Sequence, residues 1–333
     1  MSAASLTTLP PPPPDRTGWP WTEQTPPATE CPAPGRAWPP ISIVVPVLNQ
    51  GGSLEAALRS VLLQGYPDLE IIIIDGGSTD GTLDVLRKYE PWLGYWVSEP
   101  DRGQTHAINK GLVRCNGEVA NWVCGDDLLV PGALQAIGRA FARAPETDVV
   151  VGRTEHKFLS LPSRNRIDPP PSLGRIRLIP ATNPIAQPSC FYRRRLLDRD
   201  PPLDESLEYS MDLELWAYFN SRGARWKTID DVLSVYQYTG RNKTMNGGEH
   251  YLEDGERIYH RYVRERVPLT WWYRRFRNPI DRAWMRSHNP FFRALLLIPE
   301  ALYIVALGPF YGFRRTALWY WRWIYDTAGH DAE

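Results

Sequence analysis

Short apolar runs alternate with longer segments of helical periodicity through the first part of the chain. The runs at 41–49, 69–75, 94–99 and 119–124 are rich in β-branched and aromatic residues and are short, so they predict buried strands. The segments between them repeat apolar residues every three or four positions and predict helices. The first helix would begin after a serine cap at Ser53 and end at the Gly-Tyr-Pro sequence of 65–67.

Strands that alternate with helices predict an α/β fold with a mostly parallel sheet and helices on both faces. In such sheets the ligand binds at the carboxyl ends of the strands. Polar clusters follow each predicted strand end, at Asn49, at the Asp75 turn, at 99–102 and at Asp126 and Asp127. The pattern therefore predicts a ligand site along this edge of the sheet.

After residue 145 the pattern loosens. It predicts an edge strand at 148–156, a proline-rich loop at 161–180, a strand and helix at 189–198, a helix at 209–223 and a strand pair at 226–240.

The first forty residues hold 12 of the 32 prolines and predict a disordered or polyproline-like leader outside the core. They contain no positive region followed by an apolar one, so we expect no signal peptide. The four cysteines form no C-x-x-C pair and indicate free thiols in a reducing compartment. The formal net charge of zero gives no signature of a nucleic-acid-binding protein.

Arginine and tryptophan are concentrated towards the end of the chain. From Arg261 onward there are twelve arginines, no lysine, six acids and six of the fourteen tryptophans. The apolar run at 294–313 is long enough to cross a bilayer, but Pro299, Glu300 and Pro309 interrupt it. Crossing and packing against protein both stay open. The flanking residues favour a peripheral or monotopic attachment to the cytoplasmic face of the membrane.

Asp126 and Asp127 are adjacent carboxylates at a predicted strand end, which is either an exposed turn or a cation site. Magnesium and manganese prefer oxygen ligands, and one or two carboxylates commonly hold such an ion together with substrate phosphates. An ion there would neutralise the charge that builds on a departing diphosphate.

Three further groups have a structural and a functional interpretation. The Asp75 turn is an ordinary turn or a nucleotide pocket, in which Asp75 accepts from a base N–H and Gly76 and Gly77 admit the ligand. Gln104, Asn109 and Lys110 suit hydroxyls and phosphates, or belong to a capped helix, in which His106 is a packed or exposed histidine. Asp212, with Glu208 and Glu214, is a first-turn acid or a general base.

Seven sequence stretches together resemble the family 2 glycosyltransferases, which have a GT-A-type fold. The stretches occur in the family's order between residues 41 and 248, with near-family spacing: ISIVVPVLNQ, SVLLQGYPDLEIIIIDGGSTDGT, SEPDRGQTHAINKG, GDDLLVPGAL, QPSCFYRRRLL, LDESLEYSMDLELW and GRNKTMNGG. The resemblance implies inverting transfer of a sugar from a nucleotide diphosphate donor.

The resemblance also implies roles for individual residues. Asp212 matches the catalytic base. Asp127, with Asp126, matches the site of the metal, Mg²⁺ or Mn²⁺, and the diphosphate. Lys243 would contact phosphate from a loop that also contains Arg241, Asn242 and Thr244. The nucleoside would be held by Pro46, Val47, Asn49, Asp75, Ser78 and Asp80. The chain departs from the family at Cys124, where many members have Asp or Asn, and at Met211, where many have Glu.

We therefore expect a leader (1–40), a GT-A catalytic domain (41–250) and a helical, membrane-associating region (251–333). The donor would be a nucleotide sugar, by family a UDP-sugar, and a lipid-linked glycan or cell-surface polysaccharide precursor would suit a membrane-attached enzyme. The rival is a non-catalytic sugar-nucleotide-binding or scaffold protein. Retention of both Asp127 and Asp212 argues against it, and the missing glycine fingerprint weakens a nicotinamide-dependent oxidoreductase. The sequence leaves the sugar, the linkage, the acceptor, the metal and the oligomeric state open.

Overall fold

The computed structural model describes residues 4–29, 33, 35–239, 242–243, 249–265, 267, 269–287 and 289–317. Cys31, Arg241 and Thr244 lie outside the described residues. The chain divides into two compact units, which we describe separately. Unit 1 contains Met1–Leu173, Ile185–Ser206 and Gly223–Thr239, and unit 2 contains Gly174–Pro184, Leu207–Arg222 and Gly240–Glu333.

The described part of unit 1 is built on one nine-stranded sheet. Its strands are β1 (Ile41–Val47), β2 (Leu69–Asp75), β3 (Tyr95–Ser98), β4 (Val119–Trp122), β5 (Leu128–Leu129), β6 (Val149–Phe158), β7 (Arg166–Ile167), β8 (Cys190–Arg193) and β9 (Trp226–Tyr238). Their order is β3-β2-β1-β4-β8-β6-β9-β5, with β7 paired to β6.

The two halves of the sheet differ in strand direction. β1 pairs in parallel with β2 and β4, and β2 pairs in parallel with β3. Beyond β4 the sheet is mixed, because β8 is antiparallel to both β4 and β6 while β9 is parallel to β6. The parallel half and its flanking helices confirm the predicted α/β fold. In its register Val47 lies opposite Asp75, so the loops after β1 and β2 begin side by side.

The helices are α1 (Leu54–Leu62), α2 (Thr82–Tyr89), α3 (Gln104–Leu112), α4 (Ala133–Arg143), α5 (Leu173–Ile176), α6 (Met211–Ser221), α7 (Glu249–Tyr262), α8 (Leu269–Trp272), α9 (Asn278–Arg286), α10 (Pro290–Tyr311) and α11 (Phe313–Ala317). A π-helical turn at Tyr273–Arg277 joins α8 to α9. Three-residue 3₁₀ turns occur at Glu90–Trp92, Pro162–Arg164, Gln187–Ser189 and Arg194–Leu196.

Apolar side chains from β1, β2, α1 and α4 form the main core. All seven residues of β1 are buried, as expected of a central strand covered on both faces. Leu54, Leu58 and Ile137 are fully buried against this sheet. Burial of each such side chain contributes roughly 1.5–3 kcal/mol to stability.

Two predicted strands differ from those in the structure. The strand predicted at the sheet edge, β6, lies inside the sheet between β8 and β9. The predicted strand pair at 226–240 is one strand of 13 residues, β9. It pairs with β6 along most of its length and with β5 through Ser234 and Val235. Strand order depends on contacts distant in sequence, which a local pattern does not contain.

The leader packs on unit 1, so the prediction that residues 1–40 lie outside the core is wrong for the described part. Leu9 belongs to the main core. The Nε1 atom of Trp19 donates to the carbonyl of Leu129 at 2.8 Å. Arg59, whose side chain is completely buried, donates to the carbonyls of Pro10, Pro20 and Trp21 at 2.8–3.0 Å. The buried guanidinium also donates to the Tyr89 hydroxyl at 3.1 Å, but its three carbonyl partners all come from the leader.

Unit 2 has a smaller core. Tyr259 of α7, Leu269 of α8, and Tyr303 and Leu307 of α10 are packed together. Within the described residues, α10 is the one helix whose length and composition would allow it to cross a membrane.

Candidate active site

The loop after β1 is joined to the turn after β2 by hydrogen bonds between backbone amides and side-chain oxygens. Asn49 takes the left-handed conformation (φ 51°). Its N–H donates to the Ser78 hydroxyl at 2.7 Å, and its side-chain carbonyl accepts from the Thr79 N–H at 2.9 Å. The predicted nucleoside residues Pro46, Val47 and Asn49 thus directly adjoin the Asp75 turn, as the parallel register requires.

Asp75 builds this turn. Its carboxylate is completely buried and accepts from the N–H groups of Gly77 and Ser78 and from the hydroxyls of Ser78 and Ser98. A contact with a nucleotide base stays a prediction, and these bonds give Asp75 a structural role. A Cβ at Gly76 would lie 2.6 Å from Oδ2 of Asp101, so a larger residue there would require the Asp101 side chain to move.

Asp80 fixes the start of α2. One oxygen accepts from the N–H and hydroxyl of Thr82, and the other accepts from the N–H of Gly51 at 3.0 Å. The Thr82 hydroxyl, followed by the Gly51 and Thr82 amides, lowers the pKa of Asp80. The carboxylate therefore stays charged and holds the loops after β1 and β2 together.

The three predicted ligand residues of α3 divide into two kinds. Gln104 lies at the acidic turn, where its Nε2 atom is 3.2 Å from Sγ of Cys124. Asn109 is buried and hydrogen-bonds through both of its side-chain ends to Leu203. Lys110 forms an ion pair with Glu99 at 2.5 Å. Asn109 and Lys110 thus have structural partners, and their contact with a donor stays a prediction.

Asp126 and Asp127 lie in the turn between β4 and β5. Asp127 is 3% exposed, and its Oδ1 atom is buried without a hydrogen-bond partner among the described residues. Ligand atoms of Cys124, Asp126 and Asp127 all lie within 4.8 Å of one another. A buried carboxylate oxygen with no donor is energetically costly unless a cation or ligand completes it.

The pKa shifts of Asp126 and Asp127 also indicate that a cation would stabilise the turn. Burial raises the pKa of Asp126, opposed by a hydrogen bond from Gln50. Burial, and secondarily the charge of Asp126, raises the pKa of Asp127 well above its usual range. A divalent cation would stabilise both charged carboxylates and remove this effect.

The residues at the turn fit a hard divalent cation. Asp127 would be the principal ligand through its orphaned oxygen, and Asp126 the second, leaving positions for phosphate oxygens and water. The Cys124 thiol accepts from Gln104 and is a softer ligand than Mg²⁺ or Mn²⁺ prefers. The replacement of the family's Asp or Asn by Cys124 thus leaves an oxygen-based pair intact.

Two residues of this site were not singled out by the sequence pattern. Gln50 contacts Asp126 and has a buried Oε1 atom without a hydrogen-bond partner in the described structure. Gln237 of β9 donates from Nε2 to the backbone carbonyl of Asp126 at 2.9 Å. Gln50 directly follows Asn49 in the first motif, a usable signal. Gln237 reaches the turn through the pairing of β9 with β5, and no sequence pattern indicates it.

Asp212 lies in unit 2, in the first turn of α6. Its Oδ1 atom accepts from the N–H of Leu213 at 2.7 Å, and its Oδ2 atom accepts from Nδ2 of Asn183 at 3.3 Å. Burial raises the pKa of Asp212 to about 6, and these hydrogen bonds only partly oppose the shift. A carboxylate with a pKa near the operating pH can accept a proton from a hydroxyl and later release it.

Two other acids, Glu208 and Glu214, lie near Asp212 in the sequence. Glu214 is fully buried and accepts from Arg261 at 3.2 Å and from the Tyr262 hydroxyl. Glu208 is exposed. Asp212 therefore combines partial exposure with a raised pKa, which a general base needs.

Lys243 places its Nζ atom 5.0 Å from the centre of the Tyr209 ring.

Sequence comparison identifies the class of protein. The model of the family described as glycosyl transferase family 2 matches residues 42–200. An uncharacterised protein of Mycobacterium tuberculosis is 30% identical over 225 residues, which are 62% of this chain and 70% of that protein. An uncharacterised glycosyltransferase of Nostoc is 29% identical over 224 residues, which are 62% and 67% of the two chains. The chain belongs to glycosyltransferase family 2.

Solved structures show the same fold. TarS 1-349 of Staphylococcus aureus in complex with UDP aligns with a TM-score of 0.55 at 21% identity, over 86% of this chain and 90% of that one. The mannosyltransferase PcManGT of Pyrobaculum calidifontis, in complex with GDP-Man and Mn²⁺, aligns with a TM-score of 0.56 at 19% identity, over 89% of each chain. The GT-A-type fold predicted from the sequence is confirmed.

Proposed function

We propose that this glycosyltransferase transfers a sugar, with inversion, from a nucleotide diphosphate donor to a hydroxyl acceptor. The observation that carries the proposal is the acidic turn, where a buried oxygen of Asp127 has no hydrogen-bond partner in the described part of the chain and lies beside the second carboxylate, Asp126. A scaffold protein would gain nothing from this costly arrangement, whereas a metal-dependent transferase needs it.

In the proposed reaction, Asp212 takes the proton of the acceptor hydroxyl. The hydroxyl oxygen forms a bond to the anomeric carbon, and the bond from that carbon to the diphosphate oxygen breaks on the opposite face. The nucleoside diphosphate leaves with the bonding electrons. General-base assistance of this kind contributes roughly 10²–10⁴ in rate.

A divalent cation, when bound, would supply charge stabilisation for the leaving diphosphate. Asp127 and Asp126 would hold it, and the Gln237 bond to the Asp126 carbonyl keeps their turn in place. The loops fixed by Asn49, Asp75 and Asp80 would hold the nucleoside. Lys243 would contact a phosphate.

The donor in this proposal is a UDP-sugar. The TarS complex contains UDP, but the PcManGT complex contains GDP-Man, so both nucleotides must be tested. A hexose is the expected sugar. The acceptor class that suits the rest of the chain is a lipid-linked glycan or a precursor of a cell-surface polysaccharide, because the C-terminal region has the character of a membrane-binding segment.

Peripheral or monotopic attachment to the cytoplasmic face of a membrane is the localisation that we propose. Its support is α10, where Phe291, Leu295, Ile298, Leu302 and Val305 are 46–72% exposed at spacings of three and four residues. Such a stripe is typical of a surface covered by lipid or protein.

The first test is calorimetric titration of the protein with UDP, UDP-GlcNAc, GDP and GDP-Man, with and without Mg²⁺ or Mn²⁺. We expect one nucleotide to bind more tightly with metal. Asp127→Ala should reduce that metal-dependent affinity at least about tenfold, because the ion loses its principal ligand. Asp84→Ala, which removes an exposed acid of α2, is the matched control.

Two outcomes would contradict the proposal. If none of the four nucleotides binds, the scaffold interpretation takes its place. If Asp127→Ala binds the nucleotide as tightly as the unmodified protein with metal present, Asp127 is not the ligand.

A further inference from the structure

The start of α6 lacks a cap from its own sequence. Ser210 occupies the N-cap position, and its side chain makes no capping hydrogen bond. The amides at a helix N-terminus need acceptors from elsewhere when they are buried. This end of α6 carries Asp212 in its first turn, so whatever holds these amides also holds the backbone of Asp212.

A residue of α7 supplies an acceptor for the amide of the N-cap residue and for the amide before it. The Oδ2 atom of Asp254 accepts from the N–H of Tyr209 at 2.9 Å and from the N–H of Ser210 at 3.2 Å. Asp254 is 5% exposed, and its Oδ1 atom lies 3.4 Å from Nη1 of Arg257. One carboxylate oxygen therefore binds the two residues that precede Met211 and Asp212.

We propose that Asp254 is a positioning residue, which holds the two residues before α6 from a neighbouring helix and thereby sets the place of the Asp212 carboxylate. The inference rests on the proposed role of Asp212 as the base. Hydrogen bonds from backbone amides to a carboxylate are stronger than neutral ones, and they fix direction as well as distance. A base misplaced by about 1 Å can lose roughly 100-fold in rate.

A second set of contacts holds the same turn from the side of Tyr209. The ring of Tyr209 lies parallel to the His250 ring, with centroids 5.7 Å apart, and 5.0 Å from the Tyr251 ring. The Lys243 ammonium lies over the same ring at 5.0 Å. Residues at and before the start of α7 thus contact the residue three positions before Asp212.

A third contact joins the two helices further along. Glu214 of α6 accepts from Arg261 and Tyr262 at the end of α7. The helix pair is therefore held at both ends of α7, and loss of Asp254 would release only the end next to Asp212. This makes an effect on Asp212 separable from loss of the fold.

The test compares Asp254→Ala with Glu253→Ala, which removes the neighbouring acid of α7, exposed and 3.5 Å from His250. Amide hydrogen exchange needs no substrate. We expect the Tyr209 and Ser210 amides to exchange at least about tenfold faster in Asp254→Ala, while amides in the middle of α7 keep their rates. Glu253→Ala should leave both sets unchanged.

The kinetic arm uses release of nucleotide from UDP-GlcNAc or GDP-Man, whichever the calorimetric panel identifies. We expect Asp254→Ala to lower kcat roughly 10- to 100-fold with less than about a threefold change in donor KM. Asp254→Asn, which retains one acceptor oxygen, should recover part of kcat.

The inference is overturned if the Tyr209 and Ser210 amides exchange at unchanged rates, or if Asp254→Ala keeps a normal kcat. It is also overturned if KM rises as much as kcat falls, since that indicates a binding role. Failure of the proposed function looks different: Asp212→Asn would then retain activity, whatever Asp254→Ala does.

Discussion

At the scale of single residues, the raised pKa of Asp212 has the most direct consequence for how the protein responds to pH. Its pKa is raised to about 6 by burial. In the unfolded chain the ordinary value near 3.8 applies. In the proposed reaction this one group would set the pH range of transfer, and the same shift makes the folded state sensitive to pH between these values.

Replacement of Asp212 by Asn should lower the transfer rate by roughly 10²–10⁴, since an amide cannot take the proton of the acceptor. Donor binding should change little, because the side chain is nearly isosteric. Steady-state kinetics measures the transfer rate, and calorimetry with the same nucleotide measures donor binding. Equal loss of transfer and of donor affinity would argue against a base and for a donor contact.

The rate of transfer by the unmodified protein should rise with pH through about 6 and then level off. Asp212 must be unprotonated to act, and its pKa is raised to about 6. The measurement is kcat between pH 4.5 and 8.5 at saturating donor and metal. A rate that is constant across pH 6 would show that another group accepts the proton.

The same shift predicts a stability effect of Asp212→Asn. The protonated form of Asp212 is favoured by folding, so its stabilisation is complete below pH 3.8 and is lost as the pH rises through about 6. Asn lacks this ionisation. The Asn variant should therefore unfold at a higher temperature than the unmodified protein at pH 8, and the difference should shrink at pH 4.

The residues show why the sequence pattern draws attention to the acidic turn and leaves other side chains undecided. Two adjacent acids at a strand end repel each other, and because they are neighbours in the sequence a local pattern shows them. Asn109 and Lys110 carry equally polar groups, but their partners, Leu203 and Glu99, depend on the packing of α3. No sequence pattern indicates Asp254, because the amides that it binds lie more than forty residues earlier.

At the scale of elements, α10 has one face on unit 2 and one face exposed. Glu300, near its middle, pairs with Arg277 at 2.6 Å. Arg277 is buried and also donates to the carbonyl of Thr316 at 2.9 Å. A helix that crossed a bilayer would have to carry this charged pair into the hydrocarbon or break it, and either is costly. We therefore favour α10 lying along the membrane surface.

Exposed aromatic and cationic residues also occur in α8 and the π-helical turn that follows it. Trp271 and Phe276 are about half exposed, and their rings are 6.3 Å apart. The Arg275 guanidinium lies 5.7 Å from the centre of the Phe276 ring. Indole rings favour the headgroup layer, and arginine attracts anionic lipid.

The double substitution Ile298→Ser and Leu302→Ser should weaken binding to vesicles that contain anionic lipid by at least about tenfold, as each buried CH₂ contributes about 0.8 kcal/mol. Flotation of protein with vesicles measures it. Leu159→Ser and Val113→Ser together, two exposed apolar residues of unit 1, are the control. Undiminished flotation of the α10 variant would contradict the assignment. Resistance to alkaline extraction from membranes would indicate a crossing helix.

The elements of the parallel half were predictable because each is signalled locally. β1 and β2 are continuous apolar runs, and α1 ends at a Gly-Tyr-Pro stop. The position of β6 between β8 and β9 was not predictable. Polar residues alternate with apolar ones in β6, which suggests an edge strand. In the structure these polar residues, such as Arg153 and Glu155, are half-buried within the sheet.

At the scale of the whole chain, the leader is one of the parts that the family model, which matches residues 42–200, does not cover. The family model begins at residue 42, and the leader residues that bind Arg59 precede it. A proline-rich composition indicates a lack of regular structure, but it does not exclude packing. Leu9 and Trp19 supply apolar surface, and backbone carbonyls supply acceptors.

Arg59→Met should reduce the free energy of unfolding by about 2–4 kcal/mol, because several carbonyls lose a charged donor in a buried place. Arg87→Met, at an exposed position paired with Asp84, should change it by less than about 0.5 kcal/mol. Urea denaturation monitored by tryptophan fluorescence compares them. Equal midpoints would show that the leader contributes little to stability.

The pairing of β5 has a consequence for how the protein is made. β5 follows the acidic turn directly, and β9 is its strand partner, through Leu128 with Val235 and Leu129 with Ser234. A ribosome that has just released residue 129 must add more than a hundred further residues before that partner exists. Closing so long a loop is slow, and the incomplete edge can associate with other chains. During synthesis, the acidic turn is therefore among the last parts of unit 1 to acquire its final surroundings.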